Sequence, residues 1–403
     1  MTNINVDFEE YDLPNGMHVI LHRDASLPIV ALNLWYHVGS KNEHEGETGF
    51  AHLFEHMMFQ GSENVPANMH FHHVQSAGGT LNASTSFDRT NYYETLPAHQ
   101  LELGLWLESD RMRALAVTEQ NLETQRNVVM EERRSRYDNQ PYGTMLMELF
   151  SRAYKMQPYR WPTIGSMTDI QSATLEQVRA FHAMYYRPEN AALCLAGDFD
   201  RDAAAALVEK YFADIPNGEG EMYRPFVHEP PQTTQVRDYV FDNIPLPGLM
   251  VGMHIPDMNA PDFVALDLLA SILTSGESSR LYHRFVYEAR IAQSVVSFAY
   301  DLELPGLFLF RMIAQQGKTP DMLESMLWKE LEDVRRNGVT AEELQKAKNR
   351  AETTLVRSVT SLASRADLLN SFHVLAGDAH RLVTHRERIQ DVTLEDVRRV
   401  AST

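Results

Sequence analysis

The chain of 403 residues is short of several things. It has one cysteine, Cys194, so no disulfide can form within it and thiolates cannot build a metal site. Cys194 lies in the apolar run 191–196 and reads as a small buried hydrophobe. No run of 18 apolar residues occurs, which excludes a membrane-spanning helix. The first ten residues lack the basic and apolar stretches of a secretory signal, so the cytoplasm is the expected compartment, or the periplasm if a signal has been removed. Basic charge is also scarce: 36 Lys and Arg stand against 55 Asp and Glu, a net charge of −19. Phosphate binding needs a basic footprint, so nucleic acid is not an expected partner. The acidity serves solubility, or supplies a field that attracts basic peptides.

What remains is ordinary for a globular protein: 44% hydrophobic and 23% charged residues, and length for two or three domains. The stretch that stands out is 49–59, which holds His52, Glu55 and His56 among Phe50, Leu53, Phe54, Met57 and Phe59. On a helix, positions i, i+3 and i+4 share a face, so the three ionisable side chains project together from an otherwise apolar element. Two neutral imidazoles bind zinc, and the carboxylate between them is placed to take a proton from water. The plainer alternative is a set of hydrogen-bonded core residues. His70, His72 and His73 form a second cluster, but their spacing does not align them on one face, and they read as surface residues.

Strands are expected at 17–21 and 29–36, the first entered through an Asn15-Gly16 turn. Gly78-Gly79 opens a polar strand from Thr80 to Ser86, which suits a sheet edge onto which an extended peptide can add. A helix is expected over 100–114, and another after Thr118, running through Gln125, Val128, Val129, Glu131 and Glu132 into Arg133, Arg134 and Arg136. The acidic pair could supply a third ligand, or both could be solvated.

Residues 170–179 recur at 389–398, an offset of 219, and Val117-Thr118 with Leu122 recurs as Val339-Thr340 with Leu344, an offset of 222. Two echoes at nearly one offset indicate a duplicated domain. The expected division is 1–215, a linker at 216–235, and 236–403, the second copy lacking the metal motif and, by comparison with the run 191–197, a terminal strand.

His52-x-x-Glu55-His56, the distal Glu131-Glu132, the strand Gly78-Gly79-Thr80-Leu81-Asn82-Ala83 and the duplication together resemble the pitrilysin family of zinc peptidases. The resemblance implies an α+β fold: two α/β-roll domains, each a mainly antiparallel sheet packed with helices, forming half of a clamshell. It implies one Zn2+ per chain held by His52, His56 and Glu132, Glu55 as general base, and substrate backbone bound along Asn82, Ala83 and Ser84. Gln125 stands where the family often has a carboxylate supporting the ligands. Active relatives also carry an Arg and a Tyr seven residues apart; here Tyr287 and Gln293, six residues apart, stand in those places. Ser279-Arg280-Leu281-Tyr282 nearby has the wrong spacing and reads as packing. The resemblance therefore implies a partner chain of similar size that supplies the Arg/Tyr pair, a homodimer being the alternative, and a peptide substrate.

Overall fold

The structure is a computed structural model and describes residues 6–403. It forms two compact units: Met1–Ser135 with Met156–Glu229 and Ser358–Val383, and Arg136–Lys155 with Pro230–Arg357 and Thr384–Thr403. Each borrows one helix from the other half of the chain, Leu362–Ala376 in the first and Met145–Ala153 in the second. One passage between the units falls within the Pro/Gly-rich stretch 216–235.

Among the described residues the first unit has six strands: β1 (Glu9–Asp12), β2 (His18–Arg23), β3 (Ile29–Tyr36), β4 (Thr80–Thr85), β5 (Thr90–Pro97) and β6 (Ala191–Gly197). Their order is β1-β2-β6-β3-β5-β4, antiparallel except for β2 beside β6. Strand β6 is buried at every position, as befits an apolar run with neighbours on both sides. Alternation sends Val30, Leu32, Leu34 and Tyr36 of β3 to one face and Ala31, Asn33 and Trp35 to the other.

The apolar face is covered by helices including α1 (Phe50–Met57), α2 (Met69–Ser76) and α3 (Leu101–Ala114). The opposite face is polar, and helix Leu362–Ala376 meets it with matching groups. The Asp367 carboxylate accepts hydrogen bonds from Asn33, Trp35 and Asn91 at 2.9–3.1 Å. Asn370 donates to the Asn33 carbonyl at 2.8 Å, and Arg365 reaches His22 and Asp24 at 2.7 Å. Most of the buried polar groups on both sides are thereby paired, while Asn370 Oδ1 and Arg365 Nε find no hydrogen-bond partner among the described residues.

The second unit has, among the described residues, a three-stranded antiparallel sheet, β7 (Gly248–His254), β8 (Ala292–Ala299) and β9 (Leu307–Ala314), in the order β7-β9-β8. The repeat seen in the sequence has a structural counterpart. Thr174 and Thr393 cap helices Leu175–Tyr185 and Leu394–Val400 through reciprocal hydrogen bonds with Gln177 and Asp396. No helix of the described residues is long and apolar enough to cross a membrane.

Candidate metal centre and edge strand

Helix α1 begins at Gly49, whose φ of +93° is open to glycine and whose missing side chain leaves room for Ile164 and Gly165 behind it. The buried Glu43 carboxylate accepts from the Gly49 and Ala51 N–H groups, each at 2.8 Å, so the first turn is held from within. Burial pushes the Glu43 carboxyl well above the usual carboxylate range, and the hydrogen bonds from Ala51 and Gly49 oppose that rise. Phe50, Leu53, Phe54 and Met57 are buried, which turns His52, Glu55 and His56 to the opposite side.

There α1 meets α4 (Glu119–Arg133), capped as expected by Thr118, whose hydroxyl accepts from the Asn121 N–H at 3.2 Å. Leu122, Gln125 and Val129 are its buried residues, and Glu132, two turns beyond Gln125, follows the same stripe. The Glu132 Oε2 atom lies 3.2 Å from His56 Nε2 and 3.8 Å from His52 Nε2. Glu131 points elsewhere: it pairs with Arg134 at 3.2 Å and its side chain is 70% exposed, against 15% for Glu132. The acidic pair is thus divided between one solvated residue and one at the cluster.

The donor set fits zinc. A tetrahedral ion with the usual bond lengths holds its ligand atoms about 3.3 Å apart. The two imidazole rings stand edge to face, 69° between planes, rather than stacked. Two other groups of His and carboxylate fit a metal less well. In Glu10, His18 and His373 the imidazoles are stacked 3.5 Å apart and 5° from parallel, so their in-plane lone pairs run side by side instead of converging. In His70, Glu94 and Glu108 the carboxylates already face the Arg111 guanidinium, which binds Glu108 through two nitrogens.

That last group corrects the sequence reading of His70. It is not at the surface: it is 4% exposed, with Nε2 3.3 Å from Glu94. Burial holds its imidazole neutral, down to about 3, and burial pushes the Glu108 carboxyl up to about 7. His72, by contrast, is exposed.

Glu55 Oε2 accepts a 2.6 Å hydrogen bond from the Thr85 hydroxyl. Burial pushes the Glu55 carboxyl up, and that hydrogen bond opposes the rise. Thr85 ends β4, the last strand of the sheet, which among the described residues pairs with β5 alone and leaves its other edge free. The Ser86 N–H donates to Arg89 and the Ala98 N–H to Pro28. Carried along the registers of β4 with β5 and of β5 with β3, this directs the backbone groups of Ser84 and Asn82 inward to β5. Those of Leu81, Ala83 and Thr85 face the free edge. The Ala83 N–H donates to the Asn82 side-chain carbonyl at 2.9 Å, which covers an otherwise open donor. Reading from sequence reached this strand but missed Thr85 and Glu43. Alternation from Ala83 identifies Thr85; nothing in the spacing of Glu43 marks it as a cap.

Two family models match this chain: Insulinase (Peptidase family M16) over residues 18–166, and the Peptidase M16 inactive domain over 172–351. The zinc protease PqqE of Helicobacter pylori is 32% identical over 401 residues, covering 98% of this chain and 89% of that protein.

The chain belongs to peptidase family M16, the pitrilysin family.

The crystal structure of a protease from Helicobacter pylori superposes with a TM-score of 0.94 at 31% identity, covering 98% of this chain and 96% of that one. The periplasmic protease PqqL of Escherichia coli shares the fold, with a TM-score of 0.78 at 22% identity; the match takes in 99% of this chain and 46% of PqqL. Among the described residues all three His/carboxylate groups lie in the first unit. In the second unit Tyr287 is 52% exposed and turned to Glu277, Gln293 is exposed, and Arg280 is engaged by Glu343 and Asp333.

Proposed function

We propose that this M16 chain is the zinc-bearing subunit of a metalloendopeptidase that cleaves peptides or unfolded segments. The observation that carries the reading is the convergence of His52, His56 and Glu132 beside a carboxylate, Glu55, that is not needed as a ligand. A structural zinc site closes with four protein ligands, whereas three ligands and a neighbouring base suit hydrolysis. Zinc held there supplies a Lewis acid that makes water acidic enough to ionise near neutral pH and polarises the scissile carbonyl.

The protein's own groups do the rest. Glu55 takes the proton of the attacking water and returns it to the leaving amine. The free edge of β4 receives the substrate as an added strand, with Ala83 offering N–H and C=O once the Asn82 side chain turns away. Gln125 supports the Glu132 stripe of α4 as an uncharged residue. The catalytic domain is assigned to 1–215, and 236–403 serves as its inactive companion.

Neither Tyr287 nor Gln293 can replace an Arg/Tyr pair in holding substrate, so a second chain of similar size is assigned that task. The match to less than half of PqqL supports this, since that longer chain has room for a second such half. The test is cleavage of a quenched fluorescent peptide, with and without chelator, by the chain alone and with the chain that co-purifies from its host. Glu55→Gln should retain zinc and lose about a thousandfold in turnover. Undiminished cleavage by that variant removes Glu55 as base, and chelator-sensitive turnover by the isolated chain removes the need for a partner.

A further inference from the structure

We infer that Thr85 is a positioning residue that ties substrate docking on the sheet edge to the placement of the base; the inference rests on the reading of Glu55 just given. An ionised carboxylate can only accept, so in the 2.6 Å contact the Thr85 hydroxyl donates to Glu55 Oε2. Its proton is free to do so. The neighbouring Thr90 hydroxyl, 3.5 Å away, has a closer acceptor in the Val38 carbonyl at 2.9 Å and does not compete for Glu55. The contact leaves Oε1 as the oxygen for the reacting water.

The same residue is placed to sense substrate. Thr85 pairs with Thr90 across the ladder, and its side chain shares a face with Ala83, opposite Tyr92. Tyr92 donates to the Phe54 carbonyl of α1 at 3.4 Å, which marks that face as the one toward α1. Its backbone N–H and C=O, like those of Ala83, face the free edge. An extended peptide added there restrains the Thr85 backbone directly, and the Thr85 hydroxyl carries that restraint to the carboxylate. An arriving strand therefore fixes the base at the moment the scissile bond is presented, and an unoccupied edge leaves it looser.

The test uses Thr85→Val, which keeps the β-branched shape and removes the donor, and Thr85→Ser, which keeps the donor. Both are assayed in the enzyme as purified from its host, with any chain that accompanies it. Thr85→Val should lose about tenfold to a hundredfold in kcat with KM within about twofold and zinc content unchanged. Thr85→Ser should return to within about threefold of the parent. A Thr85→Val enzyme with parental kcat overturns the proposal, as does a serine variant no better than valine, because the threonine would then act through shape alone. Glu55→Gln runs alongside: if it retains parental turnover, the base assignment fails; if it is inactive while Thr85→Val is parental, only the role of Thr85 fails. A crystal structure of the zinc-loaded chain gives a readout independent of turnover. The Glu55 carboxylate should be displaced in Thr85→Val and in place in Thr85→Ser, and an undisplaced carboxylate in the valine variant overturns the proposal.

Discussion

Two clusters of the first unit are made of the same materials. One has His52, His56 and Glu132; the other has His70, Glu94 and Glu108. They differ in how far they are closed off from solvent. Around His70 the compensating cation is part of the protein: Arg111, fully enclosed, grips Glu108 and lies 4.3 Å from the Tyr92 ring centre and 5.2 Å from that of Phe59. Around His52 the side chains of the cluster keep 12–23% of their surface open. The first is closed off from solvent, while the second stays accessible to it. A group of histidines and carboxylates is therefore to be judged by its access, not by its residue types.

The comparison breaks most severely at Arg111. Arg111→Met should destabilise the first unit by about 3–5 kcal/mol, because Glu108 is left as an uncompensated buried charge. Adding Glu108→Gln should restore part of the loss, and urea unfolding followed by tryptophan fluorescence measures both. Recovery that fails to appear would mean that the cation–π contacts, not the ion pair, hold the network.

In the open cluster the corresponding changes should act on metal, not on folding. Glu132→Gln should weaken zinc binding more than a hundredfold and leave the unfolding free energy of the metal-free protein within about 0.5 kcal/mol, whereas Glu131→Gln changes neither. The reverse result from competition with a chelator would shift the ligand by one residue.

The sheet edge gives a subtler test. Ala83→Pro removes an outward N–H and leaves the β4–β5 ladder intact, so KM should rise about tenfold with zinc unchanged. Asn82→Pro removes an inward donor and should cost stability instead. Equal effects from the two variants would contradict the assigned direction of the backbone groups.

The smallest effect concerns pH. His70 is held neutral when folded and titrates near 6.5 when unfolded, so its contribution rises with pH from about 3 to 6.5. Glu108 takes up its proton more readily when folded, near 7, than unfolded, near 4.5, so its contribution falls as pH rises through that interval. The two slopes oppose each other between about 4.5 and 6.5 and flatten the stability profile there. Glu108→Gln removes the falling limb, so stability of that variant should keep climbing to about pH 6.5. A profile unchanged by the substitution would show that the excess proton resides elsewhere, with Glu94 the first place to look.

Much of this protein was determined by the sequence alone. The positions of α1, α4 and the strands 29–36 and 191–197 follow from periodicity, caps and turn residues, because those signals act between near neighbours. The i, i+3, i+4 spacing already placed His52, Glu55 and His56 together, and the family pattern chose Glu132 from its pair. The tertiary structure decided what depends on distant partners. It buried His70, which local spacing had left at the surface, because Glu94 and Arg111 come from other elements. It turned Thr85 toward Glu55, 30 positions away, and laid helix Leu362–Ala376 on the polar face of the sheet, where Asp367 meets Asn33 from 334 residues earlier in the chain. Burial and counter-charge are properties of assembled neighbours, so no window of the sequence contains them.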